Sequence, residues 1–149
     1  MDIVKLGSPV LKTPTVPVTF PWAEGAAVAE GMFAVMEAQG NGVGLAANQV
    51  GIPLSMFVFN SGKSAGVMCN PTLTPYTPRG TETWNEGCLS IPGLVTQKRR
   101  WIQVDIDGFD LNGDPQSWTC EDLEARIMQH ECDHLAGRLC ITRTKRKRK

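Results

Sequence analysis

The chain has only two histidines, His130 and His134, and they stand four residues apart with Glu131 between them in His130-Glu131-Cys132-Asp133-His134. On a helix that spacing projects both imidazoles from one face about one turn apart, the bite a single metal ion needs. Glu131, next in sequence to a ligand, can sit beside the remaining coordination position and take a proton from water. The flanking pattern agrees, predicting a helix from about Cys120 to Ala136. Thr119 and Asp122 are placed as a capping box, and Gly137 stands where a C-terminal glycine cap belongs. Cys132, two residues from His130, is expected to point away from the metal into the core.

Two histidines do not hold a catalytic metal, so a third protein ligand is required. The sequence offers two thiols. Cys140 lies where metal proteases of the extended His-Glu-x-x-His-x-x-Gly-x-x-His type carry their third histidine, and Gly137 matches that pattern. Cys88, in Glu86-Gly87-Cys88-Leu89-Ser90, sits beside a glycine that would let backbone come close to a metal or a substrate. Both stay open on spacing alone. The five cysteines are an odd number spread over 149 residues, which fits free or metal-bound thiols in a reducing compartment, not a disulfide scaffold. Cys69 and Cys120 read as small buried residues.

The rest of the chain frames this helix. Residues 1–20 are rich in proline and threonine and predict an extended arm. Apolar residues from Pro21 to Gln39 recur at helical spacing, and Gly40-Asn41-Gly42 ends that helix. Leu54 to Phe59 predicts a strand, Gly66 to Cys69 its partner before Asn70-Pro71, and residues 71–83 a loop with a strand near Thr81–Trp84. Val95 to Phe109 alternates with Ile102, Val104 and Ile106 on one face, and Gln116 to Cys120 returns as its hairpin partner. The expectation is one α+β domain, 1–142, of mostly antiparallel sheets packed around a central metal-binding helix, with an N-terminal helix. A basic tail, 143–149, follows and is expected to be solvated and disordered. It holds six of the fifteen basic residues and no acid, which leaves the body with a net charge of −6 and excludes a general nucleic-acid binder. No run of about 18 apolar residues and no export signal are visible, so a cytoplasmic protein with no membrane partner is expected.

A third segment, Gly42-Val43-Gly44-Leu45-Ala46-Ala47-Asn48-Gln49, is by itself a glycine-rich turn, and it lacks the Lys-Ser/Thr of a phosphate-cradling loop. Together with Glu86 to Ser90 and Gln129 to Gly137 it resembles the peptide deformylases, marked by G-x-G-L-A-A-x-Q, E-G-C-L-S and Q-H-E-x-D-H-L-x-G in this order and spacing. The likeness extends loosely from Ile3 to about Ile141.

The resemblance implies a metal-dependent hydrolase that removes the N-formyl group from the initiator methionine of nascent polypeptides and releases formate. By similarity the metal ligands are Cys88, His130 and His134, and Glu131 is the general base and acid. Gln49 and the Leu89 backbone N–H are the implied oxyanion donors. The family binds its peptide as an added strand along segments matching Val43-Gly44 and Gly87, with Gly44 allowing close backbone approach. The methionine side chain would enter a pocket near Val43, Leu89, Leu123 and Ile127. Glu86 and Arg100 are read as a pair supporting the Cys88 loop. The family commonly uses Fe2+, and Zn2+ or Ni2+ can occupy such a ligand set, so one divalent ion per chain is expected. Val95 stands where some members place an arginine near the substrate, which implies altered affinity or side-chain preference.

The short C-terminal segment looks like that of deformylases encoded by bacterial viruses, so the setting expected is a bacterial or phage-infected cytoplasm and the form a monomer. An alternative role for the 143–149 tail is to grip ribosomal RNA phosphates. Glu131 argues against a non-catalytic RNA-binding module with a structural metal, because such a site has no use for a base.

Overall fold

A computed structural model describes residues 1–141; the basic tail at 143–149 lies outside them. The elements run α1 (Gly25–Ala38), β1 (Gly44–Ala46), β2 (Met56–Asn60), β3 (Ala65–Pro75), β4 (Thr81–Cys88), β5 (Ile91–Trp101), β6 (Gln103–Phe109), β7 (Pro115–Glu121) and α2 (Asp122–Leu135), with short 3-10 turns at Pro9–Lys12, Ala47–Val50 and Thr77–Arg79. Five strands form an antiparallel sheet in the order β1-β2-β3-β6-β7, while β4 and β5 form a separate hairpin. This is the α+β architecture expected, with a helix on each side of the larger sheet.

The run Met56-Phe57-Val58-Phe59 explains how both helices share one sheet. Successive side chains on a strand point to opposite faces. Met56 and Val58 therefore join Ala29, Met32 and Met36 of α1 in one core cluster, and Phe57 and Phe59 join Ala125, Ile127, Met128 and Leu135 of α2 in the other. In α1 the buried Gly25, Ala29, Met32 and Met36 recur at three- and four-residue steps, which is one stripe of a helix. Val104 and Ile106 of β6 face the α2 cluster, while Asp105 and Asp107 are exposed, as the alternation requires.

Four local expectations are corrected. Asn70-Pro71 does not end β3: Asn70 adopts φ 49, the register shifts between Cys69 and Thr72, and the strand runs on to Pro75. A bulge absorbs the residue that cannot pair. Residues 71–83 are accordingly not one loop. Nor is Val95 to Phe109 one strand, since it breaks at Ile102, and β5 and β6 belong to different sheets. Thr119 does not cap α2: β7 continues to Glu121, and the Thr119 hydroxyl donates to Asp105 Oδ1 across the strand pair at 2.7 Å. The glycine end of α2 is as expected, with Gly137 at φ 78 and its N–H donating to the His134 carbonyl.

Candidate active site

The site forms where the N-terminal half of the chain and the hairpin meet α2. His130 and His134 project from α2, and Cys88 is the last residue of β4, just before the two-residue turn Leu89-Ser90. The sulfur of Cys88 and one ring nitrogen from each histidine all lie within 4.8 Å of one another. His130 Nε2 is 3.0 Å from His134 Nε2, which is 3.5 Å from Cys88 Sγ. Around one tetrahedral first-row cation, ordinary bond lengths put nitrogen pairs about 3.3 Å and nitrogen–sulfur pairs about 3.6 Å apart. The donor set therefore fits such an ion, and Cys140 is not part of it.

The tautomer of His130 is fixed by its other nitrogen. Nδ1 lies 2.7 Å from Glu86 Oε1 and donates to it, so in the neutral ring the Nε2 lone pair faces the site; burial opposes protonation of the ring, but the Glu86 bond outweighs it and raises its pKa. Burial opposes the Glu86 charge, but hydrogen bonds from His130 and Arg100 outweigh it and hold the carboxyl well below the ordinary range. For His134, burial pushes the ring down to about 3, so it is a neutral donor at any working pH. Its backbone carbonyl accepts from Asn48 Nδ2 at 2.6 Å, tying α2 to the glycine-rich segment.

Gln49 has only one sensible orientation. Its Oε1 accepts the Ala46 N–H at 3.0 Å, so the NH2 group faces Ser90 Oγ at 3.2 Å and Cys88 Sγ at 3.7 Å. A donor thus sits beside the ligand sulfur. Glu131 is 3% exposed, and its Oε2 has no hydrogen-bond partner. Burial pushes its carboxyl up to about 7, a value suited to exchanging a proton near neutrality.

Gly44 has a different reason from close substrate approach alone. A Cβ at this position would stand 2.6 Å from Glu131 Oε1, so the absent side chain is what leaves room for the carboxylate. Gly44→Ala should push Glu131 aside and cut turnover by about 10²-fold, as displacement of a catalytic group does. Metal content should stay at the wild-type level, measured by elemental analysis beside steady-state rates. Gly87 shows no such crowding, since a Cβ there would meet only the Leu94 carbonyl at 3.5 Å.

These groups open onto a groove of about 670 Å³ whose lining includes Val43, Gly44, Leu89, Leu123, Ile127 and Glu131. The expected pocket residues are thus brought together. Val43 and Leu123 stand at its mouth, 41% and 42% exposed, while Ile127 is also part of the core. Val95, 66% exposed, lies on the same rim.

Sequence reasoning found Glu86 and Arg100, which pair bidentately at 2.8 and 3.0 Å. It missed Arg126, whose NH1 reaches Glu86 Oε2 at 2.7 Å, and Asp133, which accepts from Arg100. The available signal was that Arg126 lies one helical turn before His130. Cys140 was read only as a rival ligand; it is buried close to Cys88 but lies outside the donor cluster. The neighbouring Cys140, and then burial, raise the Cys88 thiol above its ordinary value. Cation loading must displace this proton, so affinity should rise with pH, by up to about tenfold per pH unit for each proton released. Zn2+ titrations at several pH values measure this, and a flat profile would contradict it.

One sulfur and two imidazoles that converge, a buried carboxylate oxygen without a partner beside them and a groove leading to both are the parts a metal-dependent hydrolase needs. A family model for polypeptide deformylases matches residues 1–149, and the chain belongs to that family. It is 41% identical over 146 residues to peptide deformylase 2 of Streptomyces avermitilis, an alignment covering 93% of this chain and 76% of that one. The crystal structure of peptide deformylase from Thermotoga maritima superposes with a TM-score of 0.88 at 35% identity, covering 93% and 92% of the two chains. The deformylase of the Vibrio parahaemolyticus bacteriophage VP16T, solved in complex with actinonin, superposes at 0.87 and 34% identity over 93% of this chain and 99% of that one. No helix among the described residues is long and apolar enough to cross a membrane.

Proposed function

We propose that this enzyme hydrolyses the formyl amide of N-formylmethionyl peptides, with Cys88, His130 and His134 holding one divalent cation. The observation that carries the reading is the convergence of that donor set, the unpartnered Oε2 of Glu131 and the NH2 of Gln49 at one end of a groove. A cation bound there supplies Lewis acidity, polarising the formyl oxygen and making a water more acidic.

The chain's own residues do the rest. β1 is an edge strand of the larger sheet, so Val43 and Gly44 can pair with an extended peptide, and Gly87 faces it from the hairpin. Val43, Leu89, Leu123 and Ile127 surround the methionine side chain. Glu131 takes a proton from water as its oxygen bonds to the formyl carbon. Gln49 NH2 and the Leu89 backbone N–H stabilise the charge that develops on the carbonyl oxygen. The C–N bond then breaks, Glu131 delivers the proton to the departing amine, and formate and a free methionyl N-terminus result.

The resemblance supports Fe2+ as the native ion, and the ligand chemistry accommodates Zn2+ or Ni2+ as well. The substrate chemistry supports a cytoplasmic enzyme acting on nascent chains, and a monomer is sufficient, since every group named comes from one chain. The test is formate release from formyl-Met-Ala-Ser, assayed anaerobically on protein loaded with Fe2+. Turnover of this peptide is expected, and its absence would overturn the reading.

A further inference from the structure

The hairpin that carries Cys88 shares no strand pairing with the five-stranded sheet. Among the described residues it makes no backbone hydrogen bond to α2, the helix that carries the other two donors. The meeting of the sulfur with the two imidazoles therefore depends on side-chain ties between hairpin and helix. Gln129 makes two, to the Trp101 backbone at the end of the hairpin, Arg100 meets Asp133, and Arg126 makes three. From α2 its NH1 donates to Glu86 Oε2 at 2.7 Å and to the Lys98 carbonyl at 2.9 Å, and its NH2 donates to the Glu82 carbonyl at 2.9 Å. Glu82 is on β4 and Lys98 on β5, so one guanidinium grips both strands.

The same group forms part of the groove wall. Its Cζ lies 5.1 Å from the ring centroid of Trp84, the cross-strand partner of Lys98, and both Arg126 and Trp84 line the groove. Arg126 is 5% exposed. Burying a guanidinium beside an apolar pocket is costly unless every bond is made, and an apolar side chain would suit the pocket wall better. Its presence there calls for a positional role.

We propose that Arg126 is the positioning residue that couples the metal site to the substrate pocket. By clamping the hairpin onto α2 it brings Cys88 to the histidines and braces Glu86 behind His130. By lying against Trp84 it holds that ring as a fixed wall of the groove. The pocket half of this proposal rests on the deformylase reading, and the metal half does not.

The test compares wild type with Arg126→Met and Arg126→Lys, each checked for native circular dichroism. Co2+ is the probe for the metal site, through its thiolate charge-transfer absorption and its affinity. Arg126→Met should bind Co2+ about 10–100-fold more weakly, the usual effect of losing a group that orients a ligand. With the site saturated, it should raise KM for formyl-Met-Ala-Ser about tenfold, with kcat changed less than KM. Lysine keeps the charge but cannot span both carbonyls or stack on the indole. Arg126→Lys should therefore recover part of the Co2+ affinity and none of the KM. A folded Arg126→Met with wild-type Co2+ affinity and KM would overturn the proposal, however far its melting temperature falls. If Arg126→Met does not fold, wild-type behaviour of Arg126→Lys in both readouts overturns it equally. Should the wild-type enzyme release no formate, the substrate reading fails, and the Co2+ comparison still decides whether Arg126 positions the ligands.

Discussion

Glu131→Gln should lower formate release by about 10²–10⁴-fold while leaving metal content unchanged. The two side chains have the same shape, and Glu131 is not among the three donors, so ligand geometry and packing against Gly44 survive. What is lost is an oxygen that can accept and return a proton. Elemental analysis and steady-state rates on the same preparation measure both quantities, and unchanged formate release would exclude this mechanism. A second readout comes from the metal-free protein. Burial raises the folded-state pKa of Glu131 from 4.5 to about 7, so the folded form holds a proton that the unfolded form has released in that interval. Stability from this group is full below about 4.5 and falls as pH rises to about 7. Glutamine has no such dependence. Relative to wild type, the metal-free variant should therefore gain stability as pH rises across this window. His134 titrates in the opposite sense in both proteins and cancels in the difference.

Cys88→Ala should abolish both metal retention and activity, and Cys140→Ala should abolish neither. Removing the thiolate leaves two imidazoles, which do not hold a catalytic ion at ordinary concentrations. Cys140 is buried near Cys88, but it lies outside the cluster of donor atoms. Its truncation removes one small buried group. Loss of the ion with Cys140 and not with Cys88 would restore the ligand set of an extended-motif protease.

The legible part of this molecule was written in periodicity and in motifs. His130 and His134 demanded a helix, Met56 to Phe59 demanded a buried strand, and Val104 and Ile106 demanded a face against the core. What could not be read was set by pairing between distant segments. The bulge at Asn70-Pro71 exists because β3 serves both β2 and β6. The break at Ile102 exists because β5 must leave the larger sheet to pair with β4. Thr119 looked like a cap because sequence could not show that Asp105 stands opposite it. At the site, the two imidazoles were legible because the chain has only two histidines, whereas spacing left Cys88 and Cys140 equal and only the resemblance separated them. Arg126 was not legible, because an arginine on a helix usually faces solvent, and only the approach of β4 and β5 buries it.

The separation of the hairpin from the larger sheet gives the bound ion a mechanical meaning beyond its chemistry. Held by Cys88, His130 and His134, it would act as a staple joining residue 88 to α2 where no backbone rung does so. An ion present at about 1,000 times its dissociation constant would add about 4 kcal/mol to the folded state. Metal-free protein is therefore expected to exchange its amide hydrogens faster over residues 81–101 than over the larger sheet, and equal protection in both would contradict this.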